Sequence, residues 1–157
     1  MKYQHNKTSL PARLLPGFLA GFLATLIFHQ GVLAILWHAG IAPMAPFQMK
    51  ATAPFGVPMV ISLAFWGGVW GILLSMMEIY FPRGFRYWVM AFLFGALLPT
   101  SVALFVVLPL KGHALSAGPH WPLLITALSV NGAWGVGSAL LLSVAKRSVL
   151  RRRDTWT

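Results

Sequence analysis

Residues 57–81 read VPMVISLAFWGGVWGILLSMMEIYF, twenty-five residues with a single charged side chain, Glu78, close to the far end. That length exceeds the roughly 20 residues an α-helix needs to cross a bilayer. The apolar positions run continuously instead of alternating, which argues against a half-buried strand. Working outward, uncharged apolar runs of similar length occupy about 14–37, 87–109 and 122–145. Lipid admits only helices and closed barrels as spanning structures, and barrel strands alternate in hydropathy. The expected fold class is all-α integral membrane: a four-transmembrane-helix bundle forming a single membrane domain over 1–157, ending in a basic tail at 146–157.

Composition agrees. Of 157 residues, 58% are hydrophobic and 9% are charged, against roughly a quarter charged in soluble chains. Glu78 and Asp154 are the only acidic residues against twelve Lys and Arg, a formal net charge of +10. Charge of that size by itself fits a nucleic-acid binder, but the apolar content excludes a soluble one, so no nucleic acid is expected as a partner. The absence of cysteine removes disulfides, thiolate metal sites, iron–sulfur clusters and thiol nucleophiles.

Sorted by position, the charges report orientation, because basic flanks stay in the cytoplasm. Lys2, Lys7, Arg13, Arg83, Arg86, Lys146, Arg147, Arg151, Arg152 and Arg153 fall on one side of the four runs; only Lys50 and Lys111 fall on the other. Both termini are therefore expected in the cytoplasm (N-in/C-in), with the loops at about 38–56 and 110–121 outside. Trp37 and Trp121 mark the outer boundary and Tyr80, Tyr87 and Trp88 the inner one, as amphipathic rings prefer the interface. The first run is about twice as long as the apolar core of a secretory signal and three more follow, so it reads as a retained span. Short flanks without an organelle-targeting segment read as a bacterial inner-membrane protein.

The second and fourth runs share a pattern at a shift of 64 residues: Phe65–Gly71 lies over Ser129–Gly135, with Gly-x-Trp-Gly in common. Each run starts at a proline, Pro58 or Pro122. This points to two tandem helical hairpins in the same orientation; the first and third runs align poorly, and Gly and Trp are frequent in membrane helices, so chance remains the competing explanation.

Helices in lipid associate where small residues let backbones approach. Lines at spacing four pass through Gly17, Gly21, Thr25 and His29; Gly67, Gly71 and Ser75; Gly95, Pro99 and Ala103; and Asn131, Gly135 and Ala139. Each line is expected to face another helix. Pro99 frees the Gly95 carbonyl, so a bend is expected there, with Thr100 or Ser101 available to satisfy the freed group.

Embedded polar groups are costly without partners. Counting about 1.5 Å per residue from the outer ends places His29, Gln30, Thr100, Ser101 and Asn131 at one depth, roughly 11 to 14 Å. Trp66 and Gly67 reach that level and Trp134 lies beside it, so one polar pocket contributed by all four helices is expected. His29 is its central candidate.

Three functions compete for this layer. A haem or metal site would use His29 with His38, His113 or His120, all three in the outer loops or at their borders; a copper variant would add Met44, Met49 and Met59. A quinone could lie against Trp66, Trp70 and Trp134 without leaving a motif. A small transporter or channel would line its path with the polar layer around His29 and Asn131. Such proteins commonly rely on an embedded carboxylate, whereas Glu78 sits near the inner end with Arg83 and Arg86 nearby and reads as an interfacial ion pair. In the third reading the polar groups tie helices together, and the chain is a non-catalytic accessory or structural subunit of a larger membrane complex, or a homo-oligomer. The residues favour this third reading, with no cofactor. There is no paired carboxylate, phosphate loop, His-Glu-x-x-His or nucleophile elbow, so no enzyme is expected.

The loop HAGIAPMAPFQMKATAPFG, residues 38–56, is too apolar for a solvated linker, and is expected to fold back over the bundle mouth or to dock on a partner. The tail Lys146–Arg153 is expected to act first as an orientation signal and, with the bilayer, to contact anionic headgroups.

Overall fold

The computed structural model describes the backbone of residues 11–110, 112 and 121–154 and the side chains of residues 14–110 and 121–147. Helix α1 (Pro11–Ala24) passes through a π-helical turn (Thr25–His29) into α2 (Gln30–His38). A connection carrying the short antiparallel pair β1 (Ala51–Thr52) and β2 (Val57–Pro58) leads to α3 (Met59–Met77), which ends in a 3-10 turn (Glu78–Tyr80). Then α4 (Phe85–Val102) runs through a second π-helical turn (Ala103–Val107) into α5 (Leu108–Leu110), and α6 (Trp121–Asp154) completes the described chain. Grouped this way, four helical rods are long and apolar enough to cross a bilayer: Leu14–His38, Met59–Tyr80, Phe85–Leu110 and Trp121–Arg147. These are the features of a multi-pass membrane protein.

The rods pack in the order second, first, fourth, third. Sequence neighbours two and three meet chiefly where the Trp70 and Phe81 rings approach Phe94, with centroids 6.3 and 6.4 Å apart. Small residues set the close contacts. A Cβ added at Gly21 would overlap the Gly67 carbonyl oxygen and lie 2.8 Å from the Gly71 Cα; one at Gly17 would lie 2.6 Å from the Ser75 hydroxyl. The first and second rods therefore run antiparallel at near backbone contact, where only hydrogen fits as a side chain.

The third and fourth rods repeat the scheme. A Cβ at Gly95 would overlap the Asn131 carbonyl and lie 2.9 Å from the Gly135 Cα, while one at Gly135 would overlap the Ala91 carbonyl. Aromatic contacts repeat as well: the Phe18 ring covers Gly68, and the Phe92 ring covers Gly132. Gly68 and Gly132 are related by the 64-residue shift, whereas Phe18 and Phe92 are related by 74. The two hairpins thus share contacts that alignment at a single shift does not reveal, because the intervening segments differ in length.

Alanines and polar groups occupy the interior, with Ala20, Ala24, Ala64, Ala91, Ala96 and Ala139 buried, and Leu74, Phe94, Trp134 and Leu142 filling the core between them. Large apolar side chains such as Leu15, Ile27, Ile35, Trp66 and Phe105 point outward. The bend expected at Pro99 has a different local form. Helix α4 continues past Pro99 to Val102, and the departure comes after it, where Leu108 N–H bonds to the Ala103 carbonyl five residues back. Neither candidate partner is recorded on the Gly95 carbonyl: Thr100 bonds to Ala127, and Ser101 is exposed.

Candidate functional site

The residues singled out at one depth separate into three small groups. The first is at the end of the π-helical turn. There Gln30 N–H bonds to the Thr25 carbonyl five residues back, so one extra residue enters the turn and rotates everything after it. Gln30 ends up 1% exposed. Its Oε1 accepts from the Phe47 backbone N–H at 2.7 Å, and its Nε2 lies 3.4 Å from His29 Nδ1. Phe47 has a left-handed backbone, φ 51°, unusual for a bulky residue. The first part of the connection after α2 folds back onto the bundle, although its large apolar side chains Met44, Phe47, Met49 and Phe55 stay exposed. Gly40, at φ 71°, turns the chain out of α2 while Ile41 N–H bonds to the Leu36 carbonyl, and Ala42 is then buried beside Leu33 and Val130.

The second group joins the third and fourth rods. Asn131 Nδ2 donates to Thr100 Oγ1 at 2.9 Å, and Thr100 Oγ1 donates to the Ala127 carbonyl at 3.3 Å. The third group joins the fourth rod to the first: Trp134 Nε1 donates to the Gly21 carbonyl at 2.9 Å, and Thr25 Oγ1 donates to that same oxygen at 2.9 Å. Gly21 therefore carries both the tightest backbone approach and a doubly used carbonyl.

Two members of the expected pocket do not belong to it. Trp66 is 58% exposed and Ser101 also faces outward. Depth along a helix was the criterion that grouped them with His29, and rotation about the axis separates them. The single pocket shared by four helices is replaced by pairwise ties. His38 is exposed at the end of α2, nine residues from His29 on the same rod, hence roughly 13 Å along the axis, too far to flank one iron. His113 and His120 lie outside the described residues. Among the described residues no group of three His, Cys, Asp or Glu is placed to hold a metal ion.

Two polar residues escaped the sequence reading. Thr126 and Ser138 are buried on α6 with hydroxyls that have no hydrogen-bond partner in the structure. With Val130 and Trp134 they form a spacing-four line on the side of α6 that carries the Trp134 contact to the first rod. That periodicity was the available signal.

At the opposite end of the bundle Glu78 is buried and paired, but with different partners from those nearest in sequence. Lys146 Nζ bonds to Oε1, and Tyr87 Oη donates to Oε2 at 2.8 Å. The carboxylate thus clamps the end of the second rod to the start of the third and the end of the fourth. Arg83 and Arg86 remain on the surface. A cleft of about 450 Å³ opens beside this clamp, between the turn that joins rods two and three and the last turns of rod four.

Compared with protein families, with curated proteins and with solved structures, the chain finds no match. Functional argument therefore rests on the chemistry of these groups.

Proposed function

We propose that this chain is a multi-pass protein of the bacterial inner membrane, with both termini in the cytoplasm, acting as a non-catalytic accessory subunit of a larger membrane assembly. The observation that carries the reading is how the polar groups are used. Gln30, Thr100 and Trp134, the buried members of the expected layer, and half-buried Asn131 bond to backbone or to one another across rods and loop. Such ties hold a bundle together, at about 1 kcal/mol each, and leave its outward Phe, Leu, Ile and Trp side chains for lipid and protein neighbours. The ten-to-two division of basic residues between the two ends supports the orientation.

The test is in-membrane photo-crosslinking from the exposed Trp66 position, followed by gentle purification. A stoichiometric protein partner is expected; a chain that runs alone or only with copies of itself overturns the accessory role. A cysteine placed at Lys50 is expected to label from outside the cell, and labelling from the cytoplasm alone reverses the topology. Transport is the second reading, favoured by the π-helical turns in rods one and three, a feature frequent at functional sites, with half-buried His29 closing the first. A Soret band lost on His29→Ala would instead establish haem binding.

A further inference from the structure

The cleft at the clamp end has a composition the helix-packing argument does not use. Its wall carries Arg83 from the turn, Tyr87 and Trp88 from the first turn of α4, and Lys146 and Arg147 from α6, with Glu78 beside them. Three cations face one carboxylate, and that carboxylate is already held by Lys146 and Tyr87. The Lys146 side chain is 58% exposed while that of Glu78 is 5% exposed. The ammonium has three N–H donors, so donors remain for a second partner on the open side. Arg83 and Arg147 have no ion-pair partner among the described residues.

We propose that this cleft binds the phosphate group of an anionic phospholipid, with Arg83 and Arg147 as its principal ligands and Lys146 shared between that phosphate and Glu78. This inference rests on the membrane reading above. Guanidinium groups suit phosphate because their planar forks donate two parallel hydrogen bonds to its oxygens. The cleft lies at the ends of the second and fourth apolar rods and the start of the third, level with Tyr80, Phe85 and Arg147. In a spanning bundle that is the headgroup zone, where Trp and Tyr rings concentrate; Tyr87 and Trp88 pack edge to face there, with centroids 5.3 Å apart. The site is built by three segments and anchored by a buried carboxylate. That carboxylate holds Lys146.

The experiment uses the full chain in mild detergent, with phosphatidylglycerol, phosphatidylcholine or inorganic phosphate added and bound adducts read by native mass spectrometry. One phosphatidylglycerol per chain is expected to be retained in preference to phosphatidylcholine. Replacing Arg83→Gln and Arg147→Gln together is expected to weaken it by about 25-fold, at about fivefold per arginine removed. The lysine versions, R83K and R147K, are expected to lose less, a grading that a general folding defect would not produce. Changing Arg151, Arg152 and Arg153 to Gln is expected to leave that first lipid bound. Unchanged binding in the glutamine double variant, or equal loss in the tail variant, overturns the site. Displacement by inorganic phosphate with the same arginine dependence overturns the lipid as its source. Alkaline extraction of native membranes separates this from the parent reading: release of the chain removes the membrane assignment, whereas retention without phosphatidylglycerol binding removes the cleft alone.

Discussion

In the hairpin of rods one and two, Gly21 lies against Gly67 and Gly71; in the hairpin of rods three and four, Gly95 lies against Asn131 and Gly135. The position filled by Gly67 in the first is filled by Asn131 in the second, 64 residues later. A Cβ at Gly67 would overlap the Thr25 hydroxyl, so that crossing has room for hydrogen alone and Thr25 turns to the carbonyl of its own helix. The second crossing admits a carboxamide, and Asn131 reaches Thr100 on the neighbouring rod. One backbone scheme therefore supports a side-chain hydrogen bond within a rod in one hairpin and one between rods in the other. The tryptophans differ in the same way. Trp134 donates to the Gly21 carbonyl of the first hairpin, whereas Trp70, its counterpart, sets its ring against Phe94, the neighbour of Gly95.

The comparison breaks most sharply if the tighter first crossing is filled. Gly21→Val is expected to cost about 3 kcal/mol, the upper range for overpacking, read as a shift in reversible unfolding by SDS in mixed micelles. Gly67→Asn, which copies the second hairpin into the first, is expected to cost about 2 kcal/mol; a loss near zero would mean that the first crossing is not tight. Trp134→Phe and Asn131→Ala each remove one interhelical bond and are expected to cost about 1 kcal/mol, the usual worth of such bonds in a bundle. Trp70→Phe is expected to cost measurably less than Trp134→Phe, since no hydrogen bond from Trp70 is recorded. The smallest effect belongs to Glu78→Gln, about 0.5 kcal/mol, because its Lys146 partner is more than half exposed and solvent screens the pair.

Much of this was readable from residues. The expected runs 14–37, 57–81, 87–109 and 122–145 agree with the apolar rods Leu14–His38, Met59–Tyr80, Phe85–Leu110 and Trp121–Arg147 to within two residues at every end. The glycines at the crossings lie on the spacing-four lines, since a 3.6-residue turn brings such positions to one face. The relation of rods one and three was hidden because their repeat runs at 74 residues and not 64, so that Phe18 and Phe92 become comparable only once each is seen covering a glycine. The ion pair at Glu78 was legible as a type of contact. Its partner was not: Lys146 is 68 residues away in sequence, while Arg83 and Arg86 are close by.

Hydropathy adds up along a chain without reference to neighbours, so the sequence by itself determined that four rods exist and where each starts and stops. It also determined the position of each polar residue along its rod, since rise per residue is nearly constant. Direction around the axis belongs to the tertiary structure. An extra residue in a π-helical turn rotates the rest of the helix by about 100°, and packing in the order two, one, four, three selects which faces meet. Those two effects turned Gln30 inward to hold Phe47 and brought Trp134 onto Gly21, while packing left Trp66 and Ser101 facing outward at the same depth.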